Sequence, residues 1–527
     1  MKPNILHIFV DQQRFDTIAA LGNPIIKTPN LDRIANQGVA FTNAYTPCPV
    51  CIAARCSMIY GQYPYSTGCY ENTPMPDDRR SFMDELAAAG YYTHGIGKCH
   101  FAPDSYSLRG FISRERQEEG GARRGDNEPY LERLADEGYD YVMEPNGSRG
   151  EMYYIPQISQ LPERLHPSAW IAERSIEFIR SRRTETQPWY LFASFIHPHP
   201  PFAPPNPWHK LYRASMMPLP NLPFEYESLQ TFVNRVQNRY KYRDNGTDFN
   251  LLRVMKAYYY ACISFVDYQV GKLLDCLDEN GMTENTMIVF TSDHGEHLGD
   301  YNCFGKRSFH DSAARIPMLV YRKGRFEGGA RCDVPVSLVD IAPTLLSAAG
   351  VDAPDMKLDG VDMHDILTGV SERKIVFGQH SYDRGSPIPE NLSEPDATLR
   401  RAARSTYMAV SADWKYFYSA GDDKEYLFDR KSDPHETRNK AGVQFAARAK
   451  AQLKYALIAE LTAHGETAGL VGAPSGEVEG IHSGKVDGFR SFPRYELPDD
   501  PDSGLLIQDM YSPYAKTRVD ADGYDDI

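Results

Sequence analysis

The sequence predicts an α/β protein: a large, mostly parallel sheet sandwiched by helices, followed by a smaller C-terminal α+β subdomain. Three observations predict it. Short apolar runs, the mark of strands buried on both faces, alternate with stretches of helical periodicity. That alternation holds to about residue 385, after which several strand-like pieces crowd together ahead of one helix. The chain also has 527 residues, more than one core ordinarily supports, so a large domain with a small companion is the natural division. Residues 1–385 are therefore read as the large α/β domain. Residues 386–465 are read as a small subdomain with a short antiparallel sheet and a helix, and 466–527 as an irregular C-terminal arm.

The elements follow in order. Residues 5–10 form an apolar run expected to be a buried parallel strand, and 31–37 a short helix stopped by Gly38. A helix is expected to begin near Cys51 and to run through residues 57–60. Residues 82–89 read as a helix stopped by Gly90, and 92–96 as a strand. Helical periodicity returns at 169–182, and a strand at 189–195 runs into a proline-rich loop. Residues 251–277 form the longest helical stretch. Strands at 287–291 and 317–321 come next, then a helix at 338–349 stopped by Gly350. Strands alternating with helices indicate a parallel sheet covered on both faces. In the subdomain, strands are expected at 406–410, 414–418 and 426–428, with a helix at 444–461. The last sixty residues are rich in Gly, Pro and Asp and suggest an arm without regular structure.

Composition narrows the function. Charged residues at 24% and hydrophobic residues at 42% are ordinary for a globular enzyme. The net charge of −14 speaks against a general nucleic-acid binder, whose affinity comes from Lys and Arg. It also means that an anionic substrate must be met by a local cluster of cations. No apolar run is long enough to span a bilayer, and no membrane partner is expected. The first apolar run leads straight to Asp11 and does not look like a signal peptide. The chain as written is thus expected to be cytoplasmic, or periplasmic or secreted if it has been trimmed. Nine Cys without framework spacing argue against a disulfide scaffold, and the Asn-x-Ser/Thr matches at Asn146, Asn245 and Asn391 are read as chance.

Two predicted strands end in unusual polar clusters: Val10-Asp11-Gln12-Gln13-Arg14 and Phe290-Thr291-Ser292-Asp293-His294-Gly295-Glu296. Open α/β sheets bind ligands at the carboxyl ends of their strands. Asp11, Gln12, Asp293 and His294 offer oxygen and imidazole ligands for a divalent metal. The bland alternative is helix capping by Asp11 and Asp293. What tips the balance is a third segment, Pro47-Cys48-Pro49-Val50-Cys51-Ile52-Ala53-Ala54-Arg55. Its Cys48-Pro49-Val50-Cys51 could also be a redox pair or half of a zinc site, but no second Cys pair accompanies it.

Cys51-Ile52-Ala53-Ala54-Arg55 resembles the signature of the sulfatase family, in the alkaline phosphatase superfamily, with Ala53 where Pro is usual and Ala54 where Ser is usual. Further segments resemble the same family in the same order: Pro29-Asn30-Leu31-Asp32-Arg33, Gly97-Lys98-Cys99-His100, His197-Pro198-His199-Pro200-Pro201-Phe202, Gly305-Lys306, Val339-Asp340-Ile341-Ala342-Pro343-Thr344-Leu345 and Asp433-Pro434-His435-Glu436. The resemblance implies an alkaline-phosphatase-like fold and hydrolysis of sulfate monoesters. It implies that Cys51 is converted by a formylglycine-generating maturation enzyme to 3-oxoalanine (formylglycine), whose hydrate attacks sulfur and later expels sulfate. It implies metal ligation by Asp11, Gln12, Asp293 and His294, and stabilisation of the ionised hydrate by Arg55. Lys98 and Lys306 would clamp the sulfate, His199 would protonate the leaving alcohol and His100 would drive release of sulfate.

Asp11-Gln12 paired with Asp293-His294, together with Asn72 and the His199-Pro200-Pro201-Phe202 loop, is similar to phosphonate monoester hydrolases and phosphodiesterases on the same scaffold; Lys98 and His100 are typical of true sulfatases. Calcium is the family's usual ion, and the His294 nitrogen makes manganese the alternative. The expected substrate is an aryl or saccharide sulfate ester, held by Asn72, Lys98, His199 and Lys306 and by loops at 109–127, 204–243 and 383–404. A phosphonate monoester or phosphodiester is the second reading, and a non-catalytic anion-binding protein the third. The arm leaves a homo-oligomer open.

Overall fold

A computed structural model describes residues 2–119, 128–149, 152–241, 248–382, 397–471 and 488–496. Its centre is an eight-stranded sheet, in the order Ala330–Cys332, Val39–Phe41, Met318–Tyr321, Thr286–Ser292, Asn4–Val10, Trp189–Phe195, Tyr92–Gly97 and Ser113–Arg116. Every pairing is parallel except the two made by Met318–Tyr321. The three central strands, Thr286–Ser292, Asn4–Val10 and Trp189–Phe195, are buried at every residue. This is why they read as continuous apolar runs rather than alternating ones.

The period of two in the first strand divides the molecule into its two cores. Ile5 and Phe9 face one side, with the helices Cys51–Tyr60, Phe82–Ala88 and Ile341–Ala349. Leu6, Ile8 and Val10 face the other, with Pro29–Gln37, Pro167–Ser181 and the 31-residue helix Phe249–Glu279. That long helix also caps its neighbour: Asp267 accepts from the Leu31 N–H at 2.7 Å and the Asn30 N–H at 3.1 Å. The predicted helix at 338–349 divides into a 3-10 turn, Leu338–Asp340, and the helix Ile341–Ala349. A Ser337/Asp340 capping box starts the turn.

A second, four-stranded antiparallel sheet runs Val376–Ser381, Ser405–Val410, Trp414–Ser419, Lys424–Asp429, and the helix Ala447–Ala463 packs on it. Its first strand lies ahead of residue 385, because the compositional change sits in the connection after this strand and not before it. The position matters: the Gln379 N–H donates to Pro47 O at 2.9 Å, so this sheet buttresses the loop leading into Cys51. Lys415, fully buried, reaches back to Asp311 at 2.6 Å and to Glu436, and Tyr45 donates to the same Asp311 at 2.8 Å.

Of the arm, Phe489 stacks on Tyr418 with ring centres 4.4 Å apart. Residues 472–487 and 497–527 lie outside the described residues, as do 120–127, 242–247 and 383–396 of the expected substrate loops, and Asn245 and Asn391. Asn146 is buried and hydrogen-bonded, unavailable as a glycan acceptor. Among the described residues no helix is long and apolar enough to cross a membrane.

Candidate active site at the carboxyl ends of the central strands

The register of the sheet starts the site. Val10 pairs with Ser292, so the next residues, Asp11 and Asp293, emerge side by side. Gln12 follows in a left-handed turn with φ of 66°, held by its N–H to Asp293 Oδ1 at 3.0 Å and by the Tyr259 hydroxyl on its carbonyl at 2.7 Å. The turn aims the Gln12 amide into the same space.

Opposite stands the helix Cys51–Tyr60, with Cys51 as its first residue. No side chain of Val50 caps it; instead Asn72 Oδ1 accepts from the Ile52 N–H at 3.1 Å. Asn72 therefore sits beside Cys51, with its carbonyl engaged by the helix. One turn on, Arg55 donates from Nε to Asp293 Oδ2 at 3.1 Å and from Nη2 to Asp11 Oδ2 at 3.2 Å, while Nη1 donates to Lys98 O at 2.7 Å. Its guanidinium lies over the Phe9 ring. Arg55, Asp11 and Asp293 are all buried, so each charge depends on the others for compensation.

Lys98 arrives from the strand Tyr92–Gly97. Gly97 has φ of 90°, and a Cβ there would stand 2.0 Å from Ser194 O, so only glycine lets this strand end lie against its neighbour. Lys98 Nζ donates to Asp11 Oδ2 at 2.5 Å and contacts Glu119. His199, in the loop after Trp189–Phe195, donates from Nδ1 to Pro200 O at 2.7 Å, which leaves Nε2 facing the site. Lys306 Nζ completes the ring: 2.9 Å from Gln12 Oε1, 3.1 Å from Cys51 Sγ and 3.3 Å from His199 Nε2.

These positions set the proton affinities. Burial alone would raise the Cys51 thiol, yet Lys306, Lys98 and His294 around it hold it well below its ordinary value. Burial, seconded by Lys306, holds His199 well below the usual imidazole range, and burial with Lys98 lowers His100. The neighbouring Cys51 acts on His100 in the opposite sense, and His100 Nδ1 has no partner among the described residues. Of the two adjacent carboxylates, burial and the neighbouring Asp11 raise Asp293 to about 6, while Asp11 stays ionised beside Lys98, His199 and Arg55 despite its burial.

The donor set fits a divalent metal. Ligand atoms of Asp11, Asp293, His294 and Cys51 lie within 4.8 Å of one another. His294 Nδ1 donates to Gly295 O at 3.0 Å, so Nε2 is the atom that faces inward, 3.2 Å from Cys51 Sγ, and it would offer a metal its lone pair on losing its proton. Gln12 Nε2 is taken by Glu296, which fixes the amide with its oxygen inward. Glu296 is itself held by the Tyr154 hydroxyl at 2.9 Å and by the N–H groups of Leu298 and Gly305 at 2.8 and 2.7 Å.

The structure thus brings Asp11, Gln12, Cys51, Arg55, Asn72, Lys98, His100, His199, Asp293, His294 and Lys306 into one pocket. Sequence reading missed the acids that support them. Glu296 was visible in its motif, but only its contacts assign it a role. Glu118 accepts from the N–H groups of Cys99 and His100 at 3.0 and 3.2 Å, fixing the turn between Lys98 and His100. Arg307 donates to both oxygens of the buried Glu71 and from its own N–H to Pro49 O at 3.1 Å, which ties the Lys306 loop to Asn72 and to the approach to Cys51. Loop carboxylates carry no periodicity, and nothing short of their partners picks them out.

The Sulfatase family model matches residues 3–351, and the model for the C-terminal part of N-sulphoglucosamine sulphohydrolase matches residues 299–463. An arylsulfatase of Clostridium perfringens is 30% identical over 471 residues, covering 83% of this chain and 90% of that protein. The crystal structure of a phosphonate monoester hydrolase of Agrobacterium radiobacter superposes with a TM-score of 0.75 at 25% identity, covering 89% of this chain and 98% of the other. A structure solved in complex with its substrate D-glucosamine-2-N,6-O-disulfate superposes with a TM-score of 0.67 at 21% identity, covering 89% and 99%.

Glu296→Gln puts an amide where four donors converge and loosens the Gln12 oxygen. Calorimetric titration of the metal-free variant with Ca2+ and Mn2+ should show affinity weakened about 10- to 100-fold. Unchanged affinity would mean that the Glu296–Gln12 contact does not prepare a metal site.

Proposed function

The chain belongs to the sulfatase family, and from that premise we propose that it hydrolyses sulfate monoesters with a nucleophile derived from Cys51. The observation that carries the reading is the surroundings of Cys51 Sγ, at a helix start with Lys306 Nζ at 3.1 Å and His294 Nε2 at 3.2 Å. A helix N-terminus favours an anion there, and the two flanking groups would serve an oxygen in place of sulfur. Oxidised to formylglycine by a maturation enzyme and hydrated, Cys51 would supply a geminal pair of hydroxyls, one to attack sulfur and one to release it. Asp11, Gln12, Asp293 and His294 would hold a divalent ion, which would polarise the ester and favour an ionised nucleophile. Calcium is the proposed ion, with manganese as the second choice on account of the His294 nitrogen.

The side chains divide the rest of the work. Lys98 and Lys306 would bring two ammonium groups to the anion. Arg55, bound by both Asp11 and Asp293, keeps the carboxylates in register and adds positive charge behind the helix start. His199 holds its Nδ1 proton on Pro200 O, so a proton for the leaving oxygen must come from Nε2. His100, close enough to Cys51 for the two to perturb each other, would take a proton from the nucleophile's position in the second half of the cycle.

A phosphonate monoester or phosphodiester is the second reading, favoured by Gln12 and His294 in the ligand set and by the likeness to the Agrobacterium hydrolase. Lys98 inside the pocket favours sulfate. An aryl or saccharide sulfate is the proposed substrate class, in keeping with the names of the arylsulfatase and of the disulfate complex. Metal-loaded, matured protein should show higher kcat/KM for 4-nitrophenyl sulfate than for a 4-nitrophenyl phosphonate monoester; the reverse order would make the second reading the primary one.

His199 gives a sharper prediction. Its affinity for a second proton is depressed, so in the free enzyme Nε2 becomes protonated only as pH falls below the ordinary imidazole range. With alkyl sulfates, whose leaving groups need that proton, kcat/KM should rise as pH falls; with aryl sulfates this limb should be flat. His199→Ala should cost about 100- to 10,000-fold on alkyl sulfates and far less on aryl ones. Equal losses on both would remove His199 as the proton donor.

A further inference from the structure

Besides Asp11 and Asp293, which pair with Arg55 and Lys98, the site contains a carboxylate that the proposed reaction does not require. The Glu119 side chain is 1% exposed. It contacts Lys98 Nζ, accepts from Arg149 Nη2 at 3.0 Å and stands 3.6 Å from His199 Nε2. One of its oxygens lies within 4.8 Å of ligand atoms of Asp11, Cys51 and His199, the space in which an ester would be bound. Its place is fixed from outside the pocket as well. Asn146 Nδ2 donates to Glu119 O at 3.3 Å, and Asn146 Oδ1 accepts from Gln117 Nε2 at 3.2 Å. The neighbouring Glu118 anchors the same turn to the N–H groups of Cys99 and His100. A residue held in this way on both sides is not there only because Lys98 attracts it.

We propose that Glu119 is a specificity-determining residue that selects singly charged esters over doubly charged ones at this site. The inference rests on the reading of the pocket as a sulfate-ester site. Coulomb energy scales with the product of charges, so one fixed negative charge costs a dianion twice what it costs a monoanion at the same distance. A sulfate monoester carries one negative charge, whereas a phosphate monoester carries two above its second pKa of about 6. Lys98, Lys306 and Arg55 attract both kinds of ester. Glu119 withdraws part of that attraction, and withdraws more of it from the dianion. Arg149, bound to the same Glu119 oxygen that stands 3.6 Å from His199 Nε2, sets the strength of the effect by offsetting part of the charge.

The test is equilibrium binding of phenyl sulfate and phenyl phosphate, by calorimetry, to the metal-loaded protein with Cys51 unconverted, which has no formylglycine to turn them over. Glu119→Gln keeps the shape and removes the charge. At about pH 8 it should tighten phenyl phosphate relative to phenyl sulfate by about tenfold, and at about pH 5, where both esters carry one charge, the ratio should stay as in the unmutated protein. Arg149→Met should move the ratio the other way at the higher pH. A damaged fold would shift both affinities together without this dependence on pH, and Arg149→Met would then decide. A ratio unmoved by Glu119→Gln at the higher pH, or moved equally at both, overturns the proposal while leaving the sulfate-ester reading intact. Failure of the unmutated protein to bind either ester would overturn both.

Discussion

The structure depends on one buried guanidinium shared between two carboxylates. Asp11 and Asp293 leave adjacent parallel strands side by side, and without compensation two such charges in a protein interior would repel each other or take up protons. Arg55 binds both, and because it rises from the first turn after Cys51 it also fixes where the Cys51 helix begins. The same guanidinium holds Lys98 O, so a third strand end is placed by the one interaction. Removing one partner from a buried network of this kind typically costs about 3–5 kcal/mol, because the others are left uncompensated. In this chain it would also separate the candidate metal ligands from the helix that faces them.

Around that centre the other side chains of the site are arranged by backbone geometry. Gly97 permits the close strand contact that delivers Lys98, and the left-handed turn at Gln12 delivers its amide. Acids outside the reacting centre then fix orientations: Glu296 for the Gln12 amide, Glu118 for the turn between Lys98 and His100, and Glu71 with Arg307 for the loops bearing Asn72 and Lys306. An acidic chain thus gathers Arg55, Lys98 and Lys306 in one place, where Asp11, Asp293 and Glu119 offset them.

Much of this was legible in the sequence, for identifiable reasons. Strands such as Trp189–Phe195 and Thr286–Ser292 are buried on both faces, and their apolar runs announce them with bounds accurate to a residue or so. The metal-ligand candidates could be read because they directly follow such strands, where side chains have few structural tasks. The Cys51 helix could be read from its signature, and Gly61, with φ of 63°, ends it. Glu71, Glu118 and Glu119 could not. Their roles come from partners far away in sequence, such as His380 for Glu71 and His199 for Glu119, and no local pattern encodes such contacts. The start of the second sheet escaped for another reason: Val376–Ser381 carries Gly378, Gln379 and His380, so no continuous apolar run announces it.

The most direct test of the account follows Cys51 itself. Preparations co-produced with different amounts of a formylglycine-generating enzyme would be analysed by peptide mass spectrometry across Cys51, and each assayed, metal-loaded, on 4-nitrophenyl sulfate. The account predicts turnover proportional to the fraction of Cys51 converted from thiol to aldehyde, with none at zero conversion. Full turnover by protein in which Cys51 is entirely unconverted would contradict it.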